Sequence, residues 1–151
     1  MTTTGRKQNL NNLRTEKKGL DILFSKEEGF YIPSKEEKKQ LYDLAGIDFK
    51  KYQRSVDCIQ LLVPTIEQVQ SLKDFNFIEV KTTKDKKVTK LPFNVFFGFT
   101  QNEEDLFIRQ SNYRLCIVHT TLKEYYLLDY AEYLTMIKVK RVQYQINFRS
   151  E

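Results

Sequence analysis

Phe77-Ile78-Glu79-Val80-Lys81-Thr82-Thr83 is the stretch on which the reading of the whole chain turns. Aromatic and β-branched residues run into a polar turn, which is the composition of a short strand. Side chains alternate faces along a strand, so Phe77, Glu79 and Lys81 share one side while Ile78, Val80 and Thr82 take the other. An acid and a lysine therefore project together from an otherwise apolar strand. Such charges are costly to bury unless they are paired or bind a metal. By spacing alone, an exposed ion pair is the simpler reading.

The neighbouring strand changes that balance. Val56-Asp57-Cys58-Ile59-Gln60-Leu61-Leu62-Val63 is apolar apart from Asp57 and Gln60, and Pro64 ends it. If this strand pairs with the one carrying Glu79, Asp57 and Glu79 meet at the sheet edge with Lys81 beside them. Two carboxylates and the adjacent backbone carbonyls, that of Val80 among them, form a hard oxygen site suited to Mg²⁺ or Mn²⁺. A metal there lowers the pKa of a bound water and steadies the charge of a phosphodiester transition state. Lys81 is placed to orient or deprotonate that water, or to stabilise the developing charge. Asp74 is a competing acid, but it precedes the strand in a turn-like stretch and reads as a turn residue.

Outward from these strands, the pattern gives alternating helical and extended segments. Residues 1–9 read as a loose polar arm, followed by a helix from Leu10 that is interrupted near Gly19. Ser34 caps a better helix, Glu36 and Glu37 suit its positive end, and Gly46 stops it, with Leu41, Leu44 and Ala45 facing the core. Residues 65–73 form a short helical or irregular link, 84–89 a charged turn, and the aromatic run 91–99 a strand. Thr100 and Glu103 have the spacing of a capping box that opens the next helix. Tyr113–His119 is an apolar strand of the sheet interior, with 123–130 beside it. Residues 137–148 are expected to form one or two further strands, in which Arg141, Gln143, Gln145 and Asn147 alternate with Val142, Tyr144, Ile146 and Phe148. The sum is a mixed α/β (α+β) domain over 31–151, preceded by an arm and helix over 1–30.

A chain of 151 residues that is 40% hydrophobic has room for one core and is not a disordered tail. Its net charge of +5 is concentrated. Lys81, Lys84, Lys86, Lys87 and Lys90 stand against Asp85 alone, and Lys84, Lys86, Lys87 and Lys90 are the expected nucleic-acid contacts. Such contacts grip phosphates without reading sequence. Cys58 and Cys116 sit in apolar strands and read as reduced buried thiols. No Cys/His spacing suggests zinc, and no Gly-rich loop suggests an NTPase. His119, the one histidine, reads as structural. The polar start and the absence of a long apolar run point to a cytoplasmic protein with no membrane partner.

Asp57, followed by Phe77-Ile78-Glu79-Val80-Lys81-Thr82-Thr83, resembles the PD-(D/E)xK nuclease superfamily, whose core presents an Asp and a Glu-x-Lys on neighbouring strands. Ile78 to Thr82, Thr100-Gln101-Asn102-Glu103 and Asn112-Tyr113-Arg114-Leu115 are similar to its DUF3883 branch. The likeness spans about residues 54–120. It implies a restriction endonuclease-like sheet core flanked by helices, a Mg²⁺ or Mn²⁺ cofactor, and cleavage of DNA. By the same resemblance Asp57, Glu79 and the Val80 carbonyl bind metal and Lys81 is catalytic. An upstream helical glutamate completes some such sites, and Glu36 and Glu37 are the candidates. The family carries restriction and defence proteins, so a larger complex of that kind is an expected partner. A homodimer would supply two sites for two strands. The alternative is a weakly active or inactive relative that serves as a nucleic-acid-binding or protein-interaction subunit.

Overall fold

The computed structural model describes the backbone of residues 3–151 and the side chains from Arg14 onward. Five strands form one mixed sheet: β1 (Phe30–Tyr31), β2 (Cys58–Leu61), β3 (Phe75–Thr83), β4 (Tyr113–His119) and β5 (Glu124–Leu128), ordered β1-β2-β3-β4-β5. Every neighbouring pair is antiparallel except β3–β4. A parallel pair needs a long crossover, and this one contains helix α4 (Gln101–Arg109). The other helices are α1 (Thr3–Ser25), α2 (Lys35–Ala45), α3 (Phe49–Tyr52) and α5 (Tyr130–Met136). The fold is therefore α/β, and no helix among the described residues is long and apolar enough to cross a membrane.

The alternation along β3 separates two cores. Phe75 and Phe77 pack with Ile59, Leu115 and Ile117 under Leu41 and Tyr42 of α2, Leu106 and Phe107 of α4, and Tyr133 of α5. Ile78 and Val80 pack on the other face with Cys58, Cys116 and Val118 beneath Ile22 and Leu23 of α1. Both cysteines are free and buried.

Gly19 does not break α1. A Cβ there would lie 2.7 Å from Thr82 Cγ2 and 3.5 Å from Val80 Cγ1, so the glycine is what lets the helix backbone rest on β3. Tertiary contact here overrides its poor helix propensity. Of the polar arm expected over 1–9, Met1 and Thr2 lie outside the described residues, and the backbone is helical from Thr3.

The predicted caps hold. Ser34 and Glu37 close a capping box, and Gly46 ends α2 at φ 69°, in the left-handed region that favours glycine. Thr100 and Glu103 close another at α4. Within α2, Leu41 is buried as predicted, but Leu44 is exposed and Tyr42 takes its place in the core.

Two predicted strands are absent. Residues 91–99 are irregular, because Pro92 lacks a backbone donor and Asn94 sits at φ 64°, both incompatible with a ladder. Residues 137–151 are not paired with the sheet. After β5, Asp129 accepts a hydrogen bond from the Glu132 N–H at 2.8 Å and caps α5, which carries the chain off the sheet. Tyr130, expected at the end of the strand over 123–130, thus opens a helix instead.

Candidate active site

β3 is paired with β4 along Phe77 to Thr83, but with β2 only from Phe75 to Ile78. Beyond Ile78, one edge of β3 has no neighbouring strand, and Asp57 closes the gap. Its N–H donates to the Ile78 carbonyl at 2.8 Å, and its Oδ2 accepts the Val80 N–H at 2.7 Å. The ladder between β2 and β3 ends at Cys58–Ile78, and Asp57 follows as an edge residue whose carboxylate lies along β3 beside Glu79 and Val80. The N–H and C=O of one strand residue point to the same edge, so the Val80 carbonyl also faces the gap.

The loop carrying Asp57 is held from several sides. Lys38 Nζ donates to the carbonyls of Gln53 at 2.6 Å and Val56 at 3.0 Å, and the Tyr113 hydroxyl donates to the Ser55 carbonyl at 2.6 Å. These bonds tie α2 and β4 to the residues just before the carboxylate, so its position is set by rigid elements.

Asp57, Glu79, Val80 and Lys81 line one cleft of about 400 Å³ with Thr15 and Glu16 of α1 and with Phe96, Phe97 and Gly98 of the irregular segment. Glu16 is the helical acid at this cleft. It shares a side-chain hydrogen bond with Asp57, and desolvation, followed by that bond, raises its pKa to about 7. Two carboxyl groups can share a hydrogen bond only if one keeps a proton, and the raised group is Glu16. The candidates Glu36 and Glu37 are not among the residues lining the cleft. Glu37 is spent on the cap of α2 and on the Tyr31 hydroxyl, which donates to it at 2.8 Å. The signal for Glu16 was present in the sequence: Glu16, Gly19, Leu20 and Leu23 have the spacing of one helical stripe. Expecting a break at Gly19 hid it.

Glu79 is 4% exposed, and its Oε2 is buried with no hydrogen-bond partner. Its Oε1 lies 3.4 Å from Lys81 Nζ. Desolvation, a shared bond with Glu103, and the charges of Asp57 and Glu103 push the Glu79 carboxyl far above the ordinary range. When all these carboxylates are ionised, Oε2 has no donor.

Lys81 is held by Glu103, with Nζ 3.0 Å from Oε1 and 3.3 Å from Oε2, and lies 5.5 Å from the Phe99 ring centre. Burial pulls its pKa down, but attraction to Glu79 and Glu103 more than offsets this, so it stays a cation. Glu103 Oε1 also accepts the Thr100 N–H at 2.8 Å. One carboxylate thus caps α4 and clamps the lysine. Burial opposes its charge, yet bonds from Glu79, Thr100 and Lys81 hold its pKa low.

Asp74 is a turn residue as expected, its Oδ2 accepting the Gln70 and Ser71 N–H groups. His119 is structural: Nδ1 accepts from the Leu122 N–H at 3.1 Å, which leaves Nε2 as the donor to the Val88 carbonyl at 3.0 Å. Lys84, Lys86, Lys87 and Lys90 are exposed on the turn that follows β3.

Glu16, Asp57 and Glu79 line the cleft with Lys81, whose charge Glu103 already meets, so the acids outnumber the one cation and leave negative charge for a further cation to neutralise. The orphaned Glu79 oxygen and the Val80 carbonyl are hard oxygen donors of the kind Mg²⁺ or Mn²⁺ takes. Among the described residues, no three His, Cys, Asp or Glu side chains are already gathered around one point in the manner of a metal cage. Glu79 leans toward Lys81 and Glu103, so an ion would have to draw it toward Asp57. Comparison of the chain with family models, curated proteins and solved structures returned no match.

Proposed function

We propose that the chain is a metal-dependent endonuclease of the PD-(D/E)xK type, with a restriction endonuclease-like core, that hydrolyses phosphodiester bonds in DNA in a restriction or defence setting. The observation that carries this reading is the meeting of Asp57, Glu79 and Lys81 at one cleft, with a buried carboxylate oxygen left unpartnered. Asp57, Glu79 and the Val80 carbonyl would hold Mg²⁺ or Mn²⁺, and Glu16 would accept a hydrogen bond from an ordered water once ionised. A bound metal supplies an activated water and charge neutralisation at the phosphorus. Lys81, kept cationic by its two glutamates, stabilises negative charge that grows on the phosphoryl oxygens. Glu103 holds the ammonium in place. Lys84, Lys86, Lys87 and Lys90, exposed on the turn that follows β3, supply phosphate contacts. Phe96, 89% exposed on the cleft rim, offers a face on which a base can stack.

A second reading, a nucleic-acid-binding or protein-interaction subunit with little activity, is favoured by one observation. Lys81 and Glu103 already neutralise one another, and the acids do not form a ready metal cage. Incubation of supercoiled and linear DNA with Mg²⁺, Mn²⁺ or EDTA separates the two readings. Metal-dependent nicking or cutting that Lys81→Ala lowers by about 10²–10³-fold supports the nuclease. Salt-sensitive binding without cutting supports the binding subunit, and cutting that survives Lys81→Ala and Glu79→Gln assigns the activity elsewhere.

A further inference from the structure

The segment after α5 carries a row of apolar side chains that the fold does not use. Val142, Tyr144, Ile146 and Phe148 are between 75% and 93% exposed, and the residues between them are Gln143, Gln145 and Asn147. This is the period-two pattern of a half-buried strand, carried by a segment with no strand beside it. Single exposed apolar residues need no explanation, but a regular run of four does. Its near end is anchored, since Lys140 Nζ meets Glu104 Oε2 of α4 at 2.6 Å. Beyond Lys140, every residue is exposed.

The sheet has a vacancy that matches. β5 is an outer strand of five residues with no strand on its far side. Open edges are templates for pairing with another chain unless they are blocked, and β5 contains no proline. The edge is acidic: Glu124 lies on it, and Glu28 and Glu132 accept hydrogen bonds from the hydroxyls of Tyr125 and Tyr126. The unpaired segment is basic, with Lys138, Lys140, Arg141 and Arg149 and no acid before Glu151.

We propose that this face binds a second copy of the chain: residues 141–149 of each protomer add as a strand to the β5 edge of the other, giving a two-fold dimer by strand exchange. The main-chain ladder supplies the pairing and the alternating side chains its facing. Each arm lays its apolar row on the sheet face of Tyr125 and Leu127, and its arginines on the opposite face, where Glu124 and the Tyr126-bound Glu132 stand. Four aromatic rings from two arms cover roughly 600–1,000 Å² at about 150–250 Å² each. Val142 and Ile146 bring the total to the ~1,200 Å² that a stable interface needs. The contact is isologous and so closes after two copies rather than growing into a fibre.

Charge-reversed variants test this without any nuclease assay. One full-length variant carries Glu124→Lys and Glu132→Lys, and the other Arg141→Glu and Arg149→Glu. Light scattering on a dilution series is expected to show a wild-type dimer and two variants each at least about tenfold weaker in self-association. Mixing the variants is expected to restore the dimer, because each arm then meets an edge of opposite sign. Gln145→Pro, which removes a ladder donor outside the core, is expected to give a folded monomer by circular dichroism. A wild-type chain that stays monomeric at every concentration overturns the proposal, as would happen if the arm folded onto its own edge. Variants that dimerise as well as the wild type, or that fail to dimerise when mixed, overturn it equally.

Discussion

β3 meets its two neighbours differently. On the β4 side, seven consecutive residues, Phe77 to Thr83, pair in parallel, and Phe77, Ile78 and Val80 among them bury their side chains in the two cores. On the β2 side, pairing stops at Ile78, and the next five residues have only Asp57 along that edge. The alternation of side chains is the same throughout. The difference arises at the backbone: where a neighbouring strand is present, polar groups are satisfied in the ladder, and where it is missing, carboxylates and carbonyls face a cleft. A site of this kind is made by ending a strand early rather than by adding residues to it. The cost is a buried acid without a partner, and such costs concentrate at functional sites.

The largest effect that can break this contrast is expected from Glu79→Gln, which is nearly isosteric but neutral. Loss of a ligand for the metal is expected to lower cleavage by about 10³-fold or more. Stability should move the other way. Folding raises the Glu79 pKa above its ordinary 4.5, so above that pH the folded chain keeps a proton that the unfolded chain has released. The unfolded state then binds fewer protons, and stability falls as pH rises until the folded carboxyl also ionises. In EDTA, the wild type should therefore lose stability from pH 5 toward pH 8 while Glu79→Gln loses less. The variant should be the more stable by on the order of 1–3 kcal/mol at the alkaline end. Urea unfolding at several pH values measures this. A Glu79→Gln chain that is less stable than the wild type at pH 8 would show that the buried carboxylate is well satisfied, and the contrast between the two edges of β3 would fail.

A smaller effect is expected at the opposite face. Gly19→Val places a branched side chain where Thr82 and Val80 already pack. Overpacking of this kind costs about 1–3 kcal/mol, and shifting α1 moves Glu16 away from Asp57. Thermal unfolding and Mg²⁺ titration by calorimetry are expected to show lower stability and weaker metal binding together. Because burial raises the pKa of both Glu16 and Glu79, ion binding near neutral pH should also release protons, seen as a heat that varies with the buffer. A Gly19→Val chain that loses stability yet binds Mg²⁺ unchanged would remove Glu16 from the site.

Much of this arrangement was legible in the sequence because it rests on local rules. Ser34, Gly46, Thr100 and Glu103 announced helix ends by their own hydrogen-bonding chemistry, and the alternation through Phe77 to Thr83 announced which side chains share a face. That Asp57 and Glu79 meet at one cleft needed only that their two segments be neighbours in the sheet. What stayed hidden depends on distant contacts. Gly19 looks like a helix breaker until the strand it rests against is known, and the identity of the helical acid followed from that one misreading. The arm 141–149 has the pattern of a strand, but pattern does not provide a partner. Glu103 was visible as a cap, and its second bond, to Lys81, comes from a residue far away in the chain.

That second bond yields the smallest and most specific expectation. Glu103→Gln keeps the capping box, because glutamine serves at the third helical position as well as glutamate, so the stability lost should be only that of the weakened ion pair with Lys81, about 1–3 kcal/mol. It removes the carboxylate nearest Lys81 Nζ. Attraction to Glu103 is one of the forces that lift the lysine against the effect of burial, so its pKa should fall in the variant. Titration of chains labelled at the lysine side-chain carbons, followed by NMR in EDTA, reads that shift directly and without catalysis. With the ammonium less firmly held, cleavage should fall several-fold, far less than for Glu79→Gln. If the Lys81 resonance titrates at the same pH in both chains, Glu103 is a helix cap and nothing more. The lysine would then owe its charge to Glu79 alone, which would tie the unpaired edge of β3 still more tightly to a single carboxylate.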